Sequence, residues 1–407
     1  MRFEGKSRLI LPVASRTIVV AGAGIGGLTA ALALAKQKFR VVVLERSAQL
    51  EEAGAGIQLS PNATHILNDL GVNMLLESRA VVPDDISISS ASSGKEIIRI
   101  PVGASAAFRY GAPYWVAHRA DLQAALLARV HEVPDIMLML STQLEDFAIH
   151  AKGVTAVTRR GVARLNEQAK VLIGADGVWS TVRSRAFPEA QPQFSGYVAW
   201  RGTVATNALP REFNAPRVRL WLGRDAHLVA YPLRGGGRIN VVAIGTGQWN
   251  RPGWSEPGDP LELSRLFPAS RWPPAARWLI GAVEEWRRWA LFEVSTAEWS
   301  KGPVALLGDA AHAMLPFAAQ GAAMAIEDAA VLGQCLAQQP DDIEAALKHY
   351  AAKRRPRIAR IRRAAQQNGR IYHMSGPMAF ARNTTMRLLG GARLMARQDW
   401  IYDWRAA

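Results

Sequence analysis

The run Thr17-Ile18-Val19-Val20-Ala21-Gly22-Ala23-Gly24-Ile25-Gly26-Gly27, continued to Val41-Val42-Val43-Leu44-Glu45, decides how this chain is read. Residues 17–21 are an apolar, β-branched run suited to a buried strand. They feed directly into a glycine turn, then an Ala/Leu-rich helical pattern to about Lys36, and a second apolar run that closes on Glu45. Strand, glycine turn, helix, strand and acid in that order are the dinucleotide-binding unit. Gly22 permits the tight turn. Gly24 lets backbone approach a pyrophosphate with no Cβ in the way, and Gly26 or Gly27 lets helix and strand pack closely. A diphosphate then rests on unpaired N–H groups at the helix start, where the dipole adds roughly half a positive charge. Glu45, at the strand end, can accept the ribose hydroxyls.

The chain has 407 residues, which predicts two to three domains of about 150 residues. Its single cysteine, Cys335, excludes an intramolecular disulfide and fits a reducing compartment. It lies in an apolar helical pattern and reads as a packing residue. No apolar run approaches the roughly 18 residues of a membrane span, and residues 1–16 read as an extension too weakly apolar for a signal segment. The formal charge of +15 has three readings: a solvated basic surface, a field that gathers anionic ligands, or nucleic-acid binding. No zinc spacing or RNA-binding signature accompanies the charge, so nucleic acid is the weakest of these, and no metal site is expected.

Taken in order, residues 51–63 are rich in small residues around Gln58. They read either as backbone passing a flat ligand or as a flexible loop. Ser60-Pro61 starts a helical pattern that stops at Gly71. Residues 82–100 read as a hairpin. At Trp115-Val116-Ala117-His118-Arg119 a strand leads into a helix, and a cation at that helix start needs an anionic partner or faces water. Segments 136–140, 144–149 and 154–158 predict a small antiparallel insertion. Residues 170–177 form a buried-strand signature ending on Asp176 between glycines, where ligands of open α/β sheets gather; a plain Asp-Gly turn is the alternative. From about 187 to 291, alternating strands surround a Gly235-Gly236-Gly237 turn, and tryptophans follow that serve core packing or an aromatic pocket. At Leu306-Leu307-Gly308-Asp309 a third apolar strand ends on Gly-Asp. Pro316 to Gly321 then opens a small-residue helix whose free N–H groups suit an electron-rich ring. His312 reads as a turn residue rather than a base. Beyond Asp341 the chain reads helical, and its arginine-rich run 353–370 reads as a solvated face.

Three separated motifs, Gly22 to Glu45, Gly174-Ala175-Asp176-Gly177 and Gly308-Asp309, together resemble the single-component FAD-dependent aromatic hydroxylases of the p-hydroxybenzoate hydroxylase superfamily. The salicylate hydroxylase and 3-hydroxybenzoate 6-hydroxylase branch is the most similar, through residues 54–63, His118-Arg119-Ala120-Asp121-Leu122, residues 319–328, Tyr372-His373-Met374 and Asp399-Trp400. The resemblance implies an α/β fold: a Rossmann-like FAD-binding domain with an inserted, mostly antiparallel α+β substrate domain and a helical C-terminal segment. The expected boundaries are 1–16 for the extension, 17–80, 108–186 and 294–340 for FAD binding, 81–107 and 187–293 for substrate, and 341–407 for the helical region. It further implies that Gly22, Gly24, Gly27 and Glu45 hold the ADP half of FAD, with Gly26 and Arg46 also binding the cofactor. Arg119 reaches its phosphate or ribitol, Asp176 serves FAD and also the passing nicotinamide nucleotide, Asp309 binds the ribitol, Pro316, Gln320, Gly321 and Ala322 line the flavin ring, and Gln58 is a further cofactor-binding residue.

The implied reaction uses NADH or NADPH and O2 through a flavin C4a-hydroperoxide to hydroxylate a small phenolic or N-heteroaromatic carboxylate, in a cytoplasmic monomer or homodimer. Many such relatives carry a histidine just before the Tyr-Pro of the substrate sheet, where this chain has Ala230. That leaves His227 and Tyr231 as catalytic candidates. Two other readings stand beside this one. The first is an FAD-dependent epoxidase or hydroxylase of a larger scaffold, and the second a flavin-containing binding protein that uses its basic C-terminal segment.

Overall fold

The computed structural model describes residues 16–50, 56–250 and 253–406; the extension before Arg16 and the glycine-rich stretch at 51–55 lie outside them. Thr17–Ala21 is the middle of a six-stranded sheet whose order is Ser300–Lys301, Val304–Leu306, Val171–Gly174, Thr17–Ala21, Arg40–Leu44, Ile136–Met139. All pairings are parallel except that of Ser300–Lys301. Ile18, Val19, Val20, Val171, Leu172 and Ile173 are fully buried, as a parallel sheet covered on both faces requires. The helix Ile25–Lys36 buries nearly every residue between the sheet and the helix Gly321–Gln338.

The segment 136–139 corrects the expectation of an antiparallel insertion there. It pairs in parallel with Arg40–Leu44 as the outer strand of the main sheet. Short apolar runs carry no signal for which sheet they join. The insertion is instead Gln143–His150, Gly153–Arg160 and Ala163–Ala169, an antiparallel sheet of its own.

A second sheet has eight strands in the order Ser255–Pro257, Arg287–Glu293, Gln193–Ala205, Arg238–Thr246, Ala226–Leu233, Val218–Leu222, Asp85–Ser90, Glu96–Pro101. The hairpin expected at 82–100 supplies its last two strands, joined to the rest by a parallel pairing of Ile86 with Val218. Strand alternation sorts side chains to two faces. Trp200, Trp221, Leu228, Ala230, Val241 and Ala243 point into a core shared with Trp272 and Trp286. Tyr197, Ala199, Val229, Val242 and Ile244 point the other way, where Leu315 and Phe317 cover part of that face. Many of the tryptophans are therefore packing residues, whereas Trp179, Trp254 and Trp278 stay exposed.

The basic C-terminal run is not simply a solvated face. Within the helix Ile343–Tyr372, Arg354 is buried and its Nη1 and Nε donate to Glu327 (2.7 Å) and Asp328 (2.6 Å). Arg357 adds two bonds to Glu327 at 2.6 and 2.7 Å, and its guanidinium stacks on Trp404. The acids stand on the Gly321–Gln338 helix, too far away in sequence for a local reading to pair them with the arginines. Two of the basic residues that would have served an acidic partner are thus committed internally. Among the described residues, no helix is long and apolar enough to cross a membrane.

Removing one partner of a buried ion pair strands the other charge, at a cost of about 3–5 kcal/mol. Arg354→Met should therefore lower unfolding free energy by about that amount in a denaturant melt, against less than about 0.5 kcal/mol for the exposed Arg363→Met. Burial raises the pKa of the Asp328 carboxyl, but His312 and Arg354 hold it below its ordinary value overall. Its contribution to stability is therefore present above pH ~3.9 and fades as the pH falls through that value towards the folded pKa.

Candidate active site

The carboxyl ends of the parallel strands open on a cavity of about 590 Å³ lined by Gly22, Gly24, Glu45, Arg46, Arg119, Asp176 and Asp309, among others. Seven residues singled out from sequence, spread over almost 290 positions, thus meet in one cleft. The glycines divide the work. A Cβ on Gly27 would lie 1.9 Å from the Gly22 carbonyl oxygen, and one on Gly26 would lie 2.9 Å from Leu307, so both serve packing. Gly22 has φ +103° and abuts the Ala175 carbonyl. Gly24 has nothing within 4 Å, so its side of the turn is open to a ligand. The helix behind it has neither a side-chain cap nor an acid in its first turn, which leaves its N–H groups for an anion.

Glu45 is oriented by its own strand end: Oε2 accepts from Ala23 N–H (2.9 Å) and Oε1 from Ser47 N–H (2.9 Å). Asp176 Oδ2 accepts from Thr181 N–H (2.7 Å) and Val182 N–H (3.1 Å), while Oδ1 is buried with no partner. Burial raises the pKa of this carboxyl against those bonds. An orphaned acceptor in a dinucleotide cleft fits a ligand hydroxyl. Arg46 and Asp309 are exposed at the cleft.

Gln58, Pro316, Gln320, Gly321 and Ala322 lie beyond this cavity's lining. Gln58 accepts from the Tyr114 hydroxyl (2.7 Å) on an adjoining two-stranded ribbon. Pro316 starts a 3₁₀ turn that ends on Ala319, whose φ of +51° is uncommon for a non-glycine residue and marks a tightly specified bend before the next helix. The Gln320 side chain is turned inward: Nε2 donates to Ser60 Oγ (2.8 Å) and Oε1 accepts from Asn62 (3.2 Å). Its side chain thus anchors the turn, while Gly321 leaves open space at the helix start. His312 bonds Asp328 at 2.6 Å and lies against Trp299, a structural role.

His227 and Tyr231 share the covered face of the eight-stranded sheet. His227 is 2 % exposed, lies edge-on to Phe317 at 5.2 Å, and has Nδ1 2.9 Å from His373 Nε2. Burial, then His373, holds its pKa well below the ordinary value, and burial holds that of His373 down to about 4. Tyr231 packs over Gly56 and pairs in register with Asn240, whose Oδ1 accepts from Gly56 N–H (2.8 Å) and whose buried Nδ2 has no partner. Burial raises the Tyr231 pKa, so its phenol stays protonated and is a donor, not a base. Ala230 points into the opposite core, so a histidine at that position would not face this side. Sequence reasoning missed His373 and Asn240: one lies 146 positions from its partner, and the other looks like an ordinary strand residue.

A family model described as an FAD binding domain matches residues 15–365. The chain belongs to that family. A 3-hydroxybenzoate 6-hydroxylase of Polaromonas naphthalenivorans (strain CJ2) is 37% identical over 388 residues, covering 95% of this chain and 96% of the relative. A 3-amino-4-hydroxybenzoate 2-monooxygenase of Streptomyces platensis is 36% identical over 393 residues, covering 96% of each. Among solved structures, a salicylate hydroxylase in a substrate complex superposes with a TM-score of 0.80 at 26% identity over 96% of each chain. This flavoenzyme is thus an FAD-dependent monooxygenase of the aromatic hydroxylase type, with NAD(P)H and O2 as the co-substrates typical of the family. The open Gly24, the uncapped helix and the orphaned Asp176 oxygen fit FAD.

Because a Cβ added at Gly24 would meet nothing within 4 Å, Gly24→Ala should leave the melting temperature of FAD-free protein nearly unchanged. It should also raise the FAD dissociation constant at least about tenfold, or about 1.4 kcal/mol, measured by flavin fluorescence on dilution.

Proposed function

We propose that this flavoenzyme hydroxylates a small phenolic or N-heteroaromatic carboxylate, with His227 as the base that takes up the phenolic proton. The observation that carries this reading is the buried His227–His373 pair set against Phe317, in the turn that leads to the Gly321 helix. A phenolate is a better nucleophile than a phenol, and a neutral imidazole can form it. With Nδ1 engaged by His373, Nε2 is the nitrogen left for substrate. His373, at the end of the Ile343–Tyr372 helix and only partly buried, then passes the proton outward.

When bound, FAD supplies the hydride acceptor and the oxygen-activating chemistry. The chain's own residues hold it: Gly22, Gly24, Glu45 and Arg46 at the ADP half, Arg119, Asp176 and Asp309 along the diphosphate and ribitol, and the 316–322 backbone at the ring. The apolar face of Val229, Val242 and Ile244 excludes water, which would otherwise divert oxygen chemistry to peroxide. The unpartnered amide of Asn240 and the protonated Tyr231 offer donors to a substrate carboxylate. The names of the relatives, 3-hydroxybenzoate, 3-amino-4-hydroxybenzoate and 6-hydroxynicotinate oxygenases, favour an aromatic acid over a large scaffold. The reading includes the division of substrate and FAD domains drawn from sequence, a cytoplasmic location where NAD(P)H is supplied, and a monomer or homodimer.

The test is NADH and NADPH oxidation by FAD-loaded protein against a panel of hydroxy- and aminobenzoates and hydroxynicotinates, with hydroxylated product and peroxide counted separately. Product matching consumption for one member supports the reading; peroxide alone across the panel sinks it. With that substrate, His227→Gln should cut product formation by about 10²-fold or more, while nicotinamide oxidation continues as peroxide release.

The pH dependence has a defined sign. Both histidines stay neutral below the ordinary pKa of about 6.5, so the acid limb of product formation should lie below that pH. The unfolded chain binds protons in this window that the folded chain does not, so stability should also fall as pH drops below ~6.5.

A further inference from the structure

The cleft has a second wall beyond the strand-end residues assigned to FAD. Opposite the strand ends, its rim is built from the edge of the eight-stranded sheet: Trp254, Arg287, Trp289 and Phe292, with Trp179 beside them. Two arginines lie near Trp289, with Arg201 at 5.5 Å and Arg287 at 5.9 Å from its ring centroid. Trp179 meets Phe292 edge-on at 5.0 Å. Trp179 and Trp254 are 47% and 44% exposed, so part of each ring is open to a ligand in the cleft.

Neither Arg201 nor Arg287 pairs with a carboxylate among the described residues, and Arg201 Nε is buried with no hydrogen-bond partner. On the same strand, Arg288 points to the other face and is neutralised by Glu256 at 2.5 Å and by Glu262. The groove side is thus cationic and aromatic, while the reverse side is charge-balanced. Of the acids in the cleft, Glu45 and Asp176 are already turned toward backbone N–H groups. The wall therefore presents flat rings for stacking and two guanidiniums for an anion, next to the cradle of a redox cofactor.

We infer that this wall, Trp254, Arg287 and Trp289 with Arg201, is the docking site of the reduced nicotinamide dinucleotide, its diphosphate held by the arginines and a ring stacked on tryptophan. The inference rests on the monooxygenase reading for its reductant. It gives the enzyme a stacking and ion-pairing surface for a dinucleotide on the eight-stranded sheet. Such a surface releases its ligand readily after hydride transfer, as a transient co-substrate requires.

The test uses FAD-loaded protein and the non-reducing 1,4,5,6-tetrahydronicotinamide analogues of NADH and NADPH, titrated by calorimetry. Arg287→Gln and Trp289→Leu should each raise the dissociation constant of the preferred analogue about tenfold, with FAD retention unchanged. Arg287 is exposed, so its variant reports on binding even where Trp289→Leu perturbs folding. Rapid-mixing measurements should show slower flavin reduction by the nicotinamide in Arg287→Gln. Dithionite-reduced variant mixed with O2 and substrate should still give wild-type product per flavin.

Unchanged analogue affinity in both variants overturns the site. A loss that only tracks lost FAD overturns it too, because the wall would then hold the flavin. Product loss in the dithionite-reduced wild type would count against the hydroxylase reading alone, since analogue binding is scored separately.

Discussion

The buried charges of Glu327 and Asp328 are the constraint on which the rest of the structure depends. They share Arg354, 2.6 to 2.7 Å from each, inside a region with no solvent to stabilise either sign. Asp328 also accepts from Gly308 N–H (3.1 Å) and His312 (2.6 Å), and Glu327 accepts from Asn62 (2.7 Å). One cluster thus joins the long C-terminal helix, the helix after Gly321, the Gly308-Asp309 turn and the helix starting at Pro61. These elements carry Asp309 of the cleft and flank the 3₁₀ turn Pro316–Ala318. Low local dielectric makes such a cluster costly to leave incomplete, so it tolerates few alternative arrangements.

From that anchor the two sheets acquire their division of labour. The parallel sheet offers strand ends and helix starts, which bind a dinucleotide through backbone. The eight-stranded sheet offers side chains on a pleated surface, graded across its width. Its centre, at Val229, Val242 and Ile244, is apolar and dry. His227 and Tyr231 lie along one strand, the first against His373 at the end of the Ile343–Tyr372 helix and the second opposite Asn240; Arg201, Arg287 and Trp289 lie on strands nearer one edge. Register places these groups because a shift of one residue would turn the whole set into the opposite core.

Much of the cofactor cleft was legible before any coordinates, because its chemistry is local. A glycine turn, an uncapped helix and an acid at a strand end each need only neighbours in sequence, so Gly24, Glu45, Asp176 and Asp309 could be found by reading along the chain. The eight-stranded sheet was less legible. His227 was visible as an isolated polar residue in a strand, but its partner was not. Ala230 looked like a missing group until strand alternation put it on the far face. Arg354 looked like one more surface charge because nothing nearby in sequence is acidic.

The sequence by itself determined the dinucleotide unit, the alternation of parallel and antiparallel segments apart from 136–139, and the family, since these rest on short-range periodicity and on residues with special backbone freedom. Tertiary structure alone decided which arginine is buried, which face of the substrate sheet each side chain meets, and that two histidines 146 positions apart share a hydrogen bond. The physical reason is range. Backbone geometry is set within a few residues, whereas desolvation and pairing of charge depend on what packs against a group, and that is known only once the chain has folded.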